Sequence, residues 1–357
     1  MSRSSGAACH VRRVRAHGVL EPGLQSGAGP MTEARVLVTG ANGFVGSHVT
    51  EALLERGYAV RCLVRETSDL SFVQNLEVEL AYADLRDEQV LAEACRDLDY
   101  VVHCAALTRA PDEETFMRVN ARGSVAVARA CMGASPGLKR FLFVSSHTAA
   151  GPSAHADDFV SEATEPHPIT WYGKSKLAAE QALEELALPL TVVRPVAVYG
   201  PRDRDFYTYF RLVKLGVSLQ LGRVERKVGL IYIRDLVALI LAALEDESAE
   251  GETYCAADGH FSYTQLSESI AQALEKSPLR IVLPEAVVGP IALGARIQGA
   301  ITGRVPVLND QRAKDLSRPY WLCSGEKARR ELGFVATSEL DPAVEETARW
   351  YLDHGWL

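Results

Sequence analysis

Three residues have types and spacing suited to proton transfer at a carbonyl or a carbinol. Tyr172 and Lys176 stand four apart in the segment YGKSK, which on a helix puts them on one face about one turn from each other. A free phenol near pKa 10 is a poor acid-base group at neutral pH. A lysine ammonium beside it stabilises the phenolate and draws its working pKa towards the operating range. Ser146 follows the apolar run Phe141 to Val144, a strand whose carboxyl end is where ligands sit in open α/β sheets. Its hydroxyl can hold a substrate oxygen while Tyr172 exchanges the proton. The Tyr-x-x-x-Lys spacing by itself also describes a surface helix with a solvated lysine, so its meaning depends on what surrounds it.

A second motif supplies that setting. The run Val36 to Val38 leads into Thr39-Gly40-Ala41-Asn42-Gly43-Phe44-Val45-Gly46, three glycines between a strand and a helix. Gly40 permits a tight turn, Gly43 lets the backbone approach a pyrophosphate, and Gly46 lets the helix pack close. Phe44 and Val45 stand at the helix N-terminus, whose N–H groups face the anion. In this setting the motif predicts dinucleotide binding rather than a merely structural turn. The exit of the second strand, Cys62-Leu63-Val64-Arg65, bears on which dinucleotide. A site for NAD places a carboxylate there to accept the ribose hydroxyls, whereas a 2′-phosphate prefers arginine. Val64 occupies the carboxylate position and Arg65 follows, so NADP is expected. NAD is the alternative should Arg65 be only a solvated loop charge. Asp84 and Leu85 follow the third strand and could border the adenine; Asp84 could equally cap the next helix.

The elements that must position these residues are legible in outline. Strand-like runs occur at Val36 to Val38, Val60 to Val64, Val78 to Ala81, Tyr100 to His103, Phe141 to Val144 and Leu190 to Val193. Helical patterns lie between them at Gly46 to Arg56, Glu88 to Arg96, Phe116 to Met132 and Tyr172 to Leu186. Continuous apolar strands alternating with helices predict an α/β fold, a Rossmann doubly wound parallel sheet covered on both faces. After Pro195 the rhythm changes. Leu230 to Ile233 reads as a strand, Asp235 to Leu244 as a helix and Thr253 to Ala256 as a strand. The expected division is a Rossmann domain at 31–197, completed by about 234–258, with a smaller mixed α/β C-terminal substrate lobe built from 198–233 and 259–357.

Together these residues resemble the extended short-chain dehydrogenase/reductase superfamily, which contains the nucleotide-sugar epimerases and dehydratases. The likeness covers about residues 34 to 357. It rests on TGANGFVG at 39–46, HCAA at 103–106, VNARGS at 119–124, VSSHTAAG at 144–151, YGKSK at 172–176, RPVAVYGP at 194–201 and IYIRDL at 231–236. The resemblance implies that Ala105 and Ala106 line the cofactor and that Pro195 adjoins the nicotinamide. It also implies that Lys176 anchors ribose hydroxyls, and that Asn120 stabilises the active-site helix or a proton path; Asn120 is otherwise a helix-interior polar residue with a backbone bond. The implied reaction is hydride transfer between a nicotinamide and a small substrate. Dehydratases carry an Asp-Glu pair where this chain has His147 and Thr148, and sugar-nucleotide members carry Asn where it has Ala197. Ala150-Gly151 is closer to the dihydroflavonol reductase and 3-beta-hydroxysteroid dehydrogenase branch, so an apolar or polycyclic carbonyl or hydroxyl compound is expected. VYGP at 198–201 with Arg202 keeps a nucleotide-sugar epimerase as the alternative. A cofactor-sensing protein without catalysis is the second, although members of that kind typically lack one of Ser, Tyr and Lys.

Composition sets the outer limits. The 357 residues are 47% hydrophobic and 24% charged, with 38 Lys and Arg against 46 Asp and Glu, which excludes a disordered or collagen-like chain and gives no basic face for nucleic acid. The seven cysteines (Cys9, Cys62, Cys95, Cys104, Cys131, Cys255, Cys323) show no metal-ligand spacing and read as reduced core residues of a cytoplasmic protein. Residues 1–30 carry four arginines against one glutamate and read as a disordered extension or an upstream start before Met31, a transit peptide being the alternative. No apolar run is long enough to span a membrane, so no stable membrane insertion is expected, and Val287 to Ile301 reads as a buried or interfacial helix. His147 could contact substrate or be an ordinary loop residue. The cluster Phe206, Tyr207, Tyr209, Phe210 could wall a pocket or pack helices. Small residues on the helices at 116–132 (Val119, Gly123, Val127, Ala130) and 172–186 (Ala178, Ala182, Leu186) permit close packing. In relatives of this kind such helices pair across a twofold axis, which implies a homodimer.

Overall fold

The computed structural model describes residues 11–13, 34–85, 87–287, 290 and 310–357. All of the leader except residues 11–13, with Cys9 among the rest, and nearly all of the apolar stretch 287–301 lie outside the described residues. Seven parallel strands form the central sheet: β2 (Arg35–Thr39), β3 (Ala59–Val64), β4 (Glu79–Tyr82), β5 (Tyr100–His103), β6 (Arg140–Val144), β7 (Leu190–Pro195) and β11 (Thr253–Ala256). Their order is β4-β3-β2-β5-β6-β7-β11, and a short strand β1 (Val11–Arg13) adds antiparallel to β4. β2 pairs with β3 on one side and β5 on the other, in register Thr39 to Leu63 and Thr39 to His103. The order therefore reverses beside β2, and a crevice opens over the carboxyl ends of β2 and β5.

Alternation along the strands explains the layers. Val36, Val38, Cys62, Val64, Val102, Leu142 and Val144 point to one face, against Val49 and Leu53 of helix α1 (Phe44–Glu55) and Leu236 and Ile240 of a later helix. Leu37, Leu63, Val101, Phe141 and Phe143 point to the other. There they meet α2 (Glu88–Ala94), α4 (Gly123–Ala134) and α6 (Trp171–Glu184) through Leu91, Val127 and Leu183. Apolar on both faces, each strand is buried whichever way its side chains point.

The helix expected at 116–132 starts earlier and is not uniform. Asp112 Oδ1 accepts the Thr115 amide at 2.7 Å to open α3 (Glu113–Phe116), and a π-helical segment, Met117–Arg122, joins it to α4. Asn120 lies in that segment, a wider turn of the kind found at functional sites. α2 is capped by Asp87, whose Oδ1 accepts the Val90 amide at 3.2 Å, and not by Asp84. Asp84 instead turns the chain, its carbonyl accepting the Asp87 amide at 3.0 Å.

After Pro195 a second, smaller sheet forms around β10 (Lys227–Tyr232). β12 (Gly259–Ser262) lies antiparallel on one edge; β8 (Ala197–Tyr199) and β14 (Tyr320–Trp321) run parallel to it on the other. The strand expected to end at Ile233 ends at Tyr232, and Ile233 already opens α8 (Ile233–Glu245), which returns to the main sheet. A two-stranded parallel sheet, β9 (Val217–Leu221) with β13 (Leu279–Leu283), packs near α7 (Tyr207–Lys214) and α9 (Tyr263–Ala273). The chain closes through α10 (Asp310–Ser317), α11 (Glu326–Leu332) and α12 (Leu340–Asp353). Phe206, Tyr207 and Phe210 belong to this packing: Phe206 and Phe210 are buried, and Tyr207 stacks edge-on with Tyr351 and Trp356. Among the described cysteines all are free thiols and all but Cys104 are buried. Among the described residues no helix is long and apolar enough to cross a membrane, and no cluster could hold a metal ion.

Candidate active site

The glycine turn sits at the mouth of the crevice. Gly40 has φ +67°, a left-handed conformation that disfavours side chains, and a Cβ there would stand 2.9 Å from the Ala105 backbone. The turn closes with the Gly43 amide on Gly40 O at 2.9 Å. A Cβ at Gly46 would stand 2.2 Å from the same Gly40 oxygen, so Gly46 lets α1 press against the turn itself. At Gly43 a Cβ would meet only Gly40 O, at 3.2 Å, within 4 Å; its outer side is open. α1 starts with no side-chain cap and no acidic residue in its first turn, which leaves the amides at Phe44 and Val45 available to an anion. An open cradle of backbone donors of this kind fits the pyrophosphate of a dinucleotide.

Around the turn lie the other residues expected to touch the cofactor. Val64 is buried and Arg65 exposed; the Arg65 amide donates to Ser68 Oγ at 3.0 Å, while its guanidinium makes no ion pair among the described residues. Leu85 packs on Gly123 at the start of α4, and Asp84 is half-buried beside it. The Ala105 amide donates to Thr39 Oγ1 at 3.1 Å, tying the loop of Ala105 and Ala106 to β2. Pro195 ends β7 in register with Ala256.

Ser146, Tyr172 and Lys176 converge at the end of β6. Ser146 caps α5 (His147–Ala150), its Oγ accepting the Thr148 amide at 3.2 Å and the Thr148 hydroxyl at 2.9 Å. α6 begins at Trp171, with Thr170 Oγ1 accepting the Gly173 amide and Gln311 of α10 accepting the Trp171 amide at 2.9 Å. A Cβ at Gly173 would lie 2.3 Å from Thr148 O. The missing side chain lets α5 and α6 touch and places the Tyr172 hydroxyl near that of Ser146.

Burial dominates the electrostatics of the pair. The Tyr172 phenol is pushed up to about 12 by burial, against the opposing bond with Ser146 and with help from the Asp205 carboxylate. This direction is opposite to the one expected from Tyr-Lys spacing. The reason is geometric: Lys176 Nζ donates to Val144 O at 2.7 Å and lies 4.3 Å from the centre of the Phe143 ring. Burial brings the ammonium down to about 8, with the Glu180 carboxylate acting in the other direction.

Asn120 is buried and fully engaged. Its Oδ1 accepts the Leu107 amide at 2.8 Å, and its Nδ2 donates to Leu107 O at 2.9 Å and Ser175 Oγ at 3.0 Å. It joins the loop after β5 to α6. His147 is buried edge-on against Trp321 and beside Cys323. Arg202 forks onto Glu51 of α1, at 3.0 and 2.7 Å, and lies over Phe72.

Two buried groups escaped sequence reasoning although their motifs were in view. His103 bridges Thr39 Oγ1 at 2.6 Å and Ser124 Oγ at 2.8 Å. Ser124 donates to Asn120 O at 2.6 Å, so it accepts from His103 Nε2, and Nδ1 accepts from Thr39. Burial and the Lys176 charge push His103 down to about 3, which keeps it neutral. The second group is Glu180, Arg194 and Ser145, beneath Lys176. No spacing rule links them; only the adjacency of β6, β7 and α6 does.

A doubly wound parallel sheet with a glycine turn at its point of reversal is the architecture of the extended short-chain dehydrogenase/reductase enzymes. The model of the NAD dependent epimerase/dehydratase family matches residues 36–257, and the chain belongs to that family. It is 28% identical over 340 residues to a ceramide reductase from Caulobacter vibrioides, covering 91% of this chain and 98% of that one. It is 29% identical over 344 residues to sterol demethylase protein B from Methylococcus capsulatus, covering 90% and 99%. Among solved structures, UDP-glucose 4-epimerase from Thermotoga maritima with UDP-glucose matches with TM-score 0.73 at 22% identity, covering 90% of this chain and 99% of that one. That last likeness is one of fold.

Proposed function

We propose that the protein is an NADP-preferring oxidoreductase that interconverts a carbonyl and a hydroxyl on an apolar, lipid-like substrate. The observation that carries this reading is the meeting of the Ser146 and Tyr172 hydroxyls beside buried Lys176, at the strand end next to the dinucleotide cradle. The nicotinamide, when bound, supplies or accepts the hydride. Ser146 holds the substrate oxygen, and Tyr172, protonated at neutral pH, is in the form that gives a proton to a carbonyl. Gly40, Gly43, Phe44, Val45 and Gly46 hold the pyrophosphate. Arg65, with its guanidinium exposed at the exit of β3, meets the 2′-phosphate. Asp84, Leu85, Ala105, Ala106 and Pro195 line the rest, and Asn120 positions α6 rather than touching substrate.

Residues 198–233 and 259–357 form the substrate side in this reading. The ceramide and sterol named for two relatives support an apolar substrate, and the engagement of Arg202 with Glu51 weakens the epimerase alternative. The small residues Ala178 and Ala182 are half-buried in the single chain, which supports their use between two copies in a homodimer. The test is consumption of NADPH and NADH at 340 nm with a panel of 3-ketosteroids, long-chain 3-keto amino alcohols and UDP-glucose. Turnover of the apolar ketones with NADPH is expected. Tight cofactor binding with silence across the panel would instead favour a cofactor-sensing protein.

A further inference from the structure

We propose that Glu180 is a positioning residue of this site: through its buried ion pair with Arg194 and its bond from Ser145, it keeps Lys176 charged and holds Val144 to Ser146 against α6. The proposal deepens the reading above, because it concerns the lysine on which that reading depends.

The geometry comes first. Glu180 lies on α6 one turn beyond Lys176 and two beyond Tyr172. Its carboxylate accepts Arg194 Nε at 3.1 Å to each oxygen and Arg194 Nη2 at 2.5 Å, together with the Ser145 hydroxyl. The side chains of Glu180 and Arg194 are only 2% and 7% exposed. Ser145 stands between Val144, whose carbonyl accepts Lys176 Nζ, and Ser146. One carboxylate thus fastens the three-residue strand end that carries both the lysine's acceptor and the substrate-facing hydroxyl.

The charges give the arrangement a second role. Fold stability alone does not call for a buried ion pair, since apolar residues of similar volume often serve as well. Here the pair lies beside a third buried charge. The groups around Lys176 and its carboxylate come from several neighbouring elements. Phe143 of β6 offers a ring face. Cys104, after β5, is pushed up to about 12 by burial, and His103 of β5 down to about 3, so both are neutral at pH 7. Arg194 of β7 is held by Glu180, with Cys255 of β11 and Glu184 of α6 also acting on it. Tyr172 on α6 is protonated. Glu180 is therefore the carboxylate that acts on the ammonium among the described residues. Without it the buried Lys176 ammonium would have no carboxylate acting on it, and lysine, unlike arginine, can lose its proton.

The test reads Lys176 directly in the full-length protein. Lysine labelled with 13C at Cε and 15N at Nζ is followed by NMR from pH 6 to 11, with Lys176→Met assigning the resonance. Glu180→Gln keeps the shape and removes the charge, and is expected to lower the Lys176 midpoint by about 1 to 2 pH units. Arg194→Gln is expected to raise it, and the double variant to fall between the two. Far-UV circular dichroism establishes that each variant is folded. An unchanged midpoint in folded Glu180→Gln, or movement of all three variants in one direction, would overturn the proposal and leave the pair a packing device. Should Glu180→Gln not fold, an unchanged midpoint in Arg194→Gln does the same. Because the titration involves no substrate, lack of turnover in the parent protein would count against the oxidoreductase reading alone.

Discussion

Two regions treat polar groups in opposite ways. Beneath α6, His103, Asn120, Glu180 and Arg194 are buried within the parallel sheet and its helices, and each is held by hydrogen bonds to partners 4 to 64 residues away in the chain. In the second lobe Arg349 pairs with Glu345 at the surface, and even buried Arg226 meets a carboxylate, Glu285, that is itself 55% exposed. Leu215 and Leu279 are both 69% exposed there, and the buried Ser269 hydroxyl has no hydrogen-bond partner among the described residues. A buried network fixes its members because any displacement leaves an unpaired group at a cost of about 1 to 3 kcal/mol. Surface pairs impose no such constraint. Under the proposed function, the contrast suits a reaction centre that must be rigid and a substrate side whose surface is free to vary.

The difference can be broken most severely at the reacting group. Tyr172→Phe removes the proton donor and little else, so turnover with an accepted ketone is expected to fall by about 10² to 10⁴ while NADPH affinity, followed by fluorescence, hardly changes. Retained turnover would remove Tyr172 from the assignment. Gly46→Ala comes next. Its Cβ would stand 2.2 Å from a backbone oxygen that no rotamer change can move, and a loss of about 1 to 3 kcal/mol in urea unfolding is expected, together with weaker dinucleotide binding. Gly133→Ala, in α4 with nothing within 4 Å of its Cβ, is the control and should gain about 0.5 to 1 kcal/mol.

The ammonium itself can be removed. Folding lowers the Lys176 pKa to about 8 from 10.5. Between those values the folded chain binds fewer protons than the unfolded one, so stability rises with pH across that window. Below about pH 8 the charge is present and buried. Lys176→Met is therefore expected to be more stable than the parent by about 1 to 3 kcal/mol at pH 6, the gap narrowing towards pH 10; a gap that is flat with pH would contradict the burial cost. Arg65→Ala tests the outer end of the cofactor site. It should abolish an NADPH over NADH preference of about 1 to 3 kcal/mol and leave NADH affinity nearly unchanged, and the parent's preference should weaken in high salt. Equal affinities in the parent would make Arg65 a solvated loop charge. The smallest effect is expected in the second lobe. Arg349→Ala breaks an exposed pair on α12 and should change stability by less than about 0.5 kcal/mol.

The strands were the most legible elements. Tyr100–His103 and Thr253–Ala256 fall where the apolar runs placed them, because a strand buried on both faces has no polar positions to blur its ends. The glycine turn was legible for a related reason: a positive φ at Gly40 and a close backbone approach at Gly46 are requirements that a single residue type meets. Boundaries set by capping were harder. Asp84 and Asp87 offer the same carboxylate, and only the path of the chain after β4 makes Asp87 the cap.

Sequence by itself thus determined the strands of the main sheet and most of the helices between them, the glycine turn after β2 and the placing of Tyr172 and Lys176 on one helix face, all consequences of local geometry within a few residues. Tertiary structure decided the direction of the Tyr172 shift, the bonding of Asn120 to Leu107 and Ser175, and the gathering of Ser145, Glu180 and Arg194 under the lysine. Those depend on which strands become neighbours and how deeply a group is buried. Partners separated by 14 to 55 residues leave no periodic trace in a chain; they meet because the sheet order brings β6, β7 and α6 to one place.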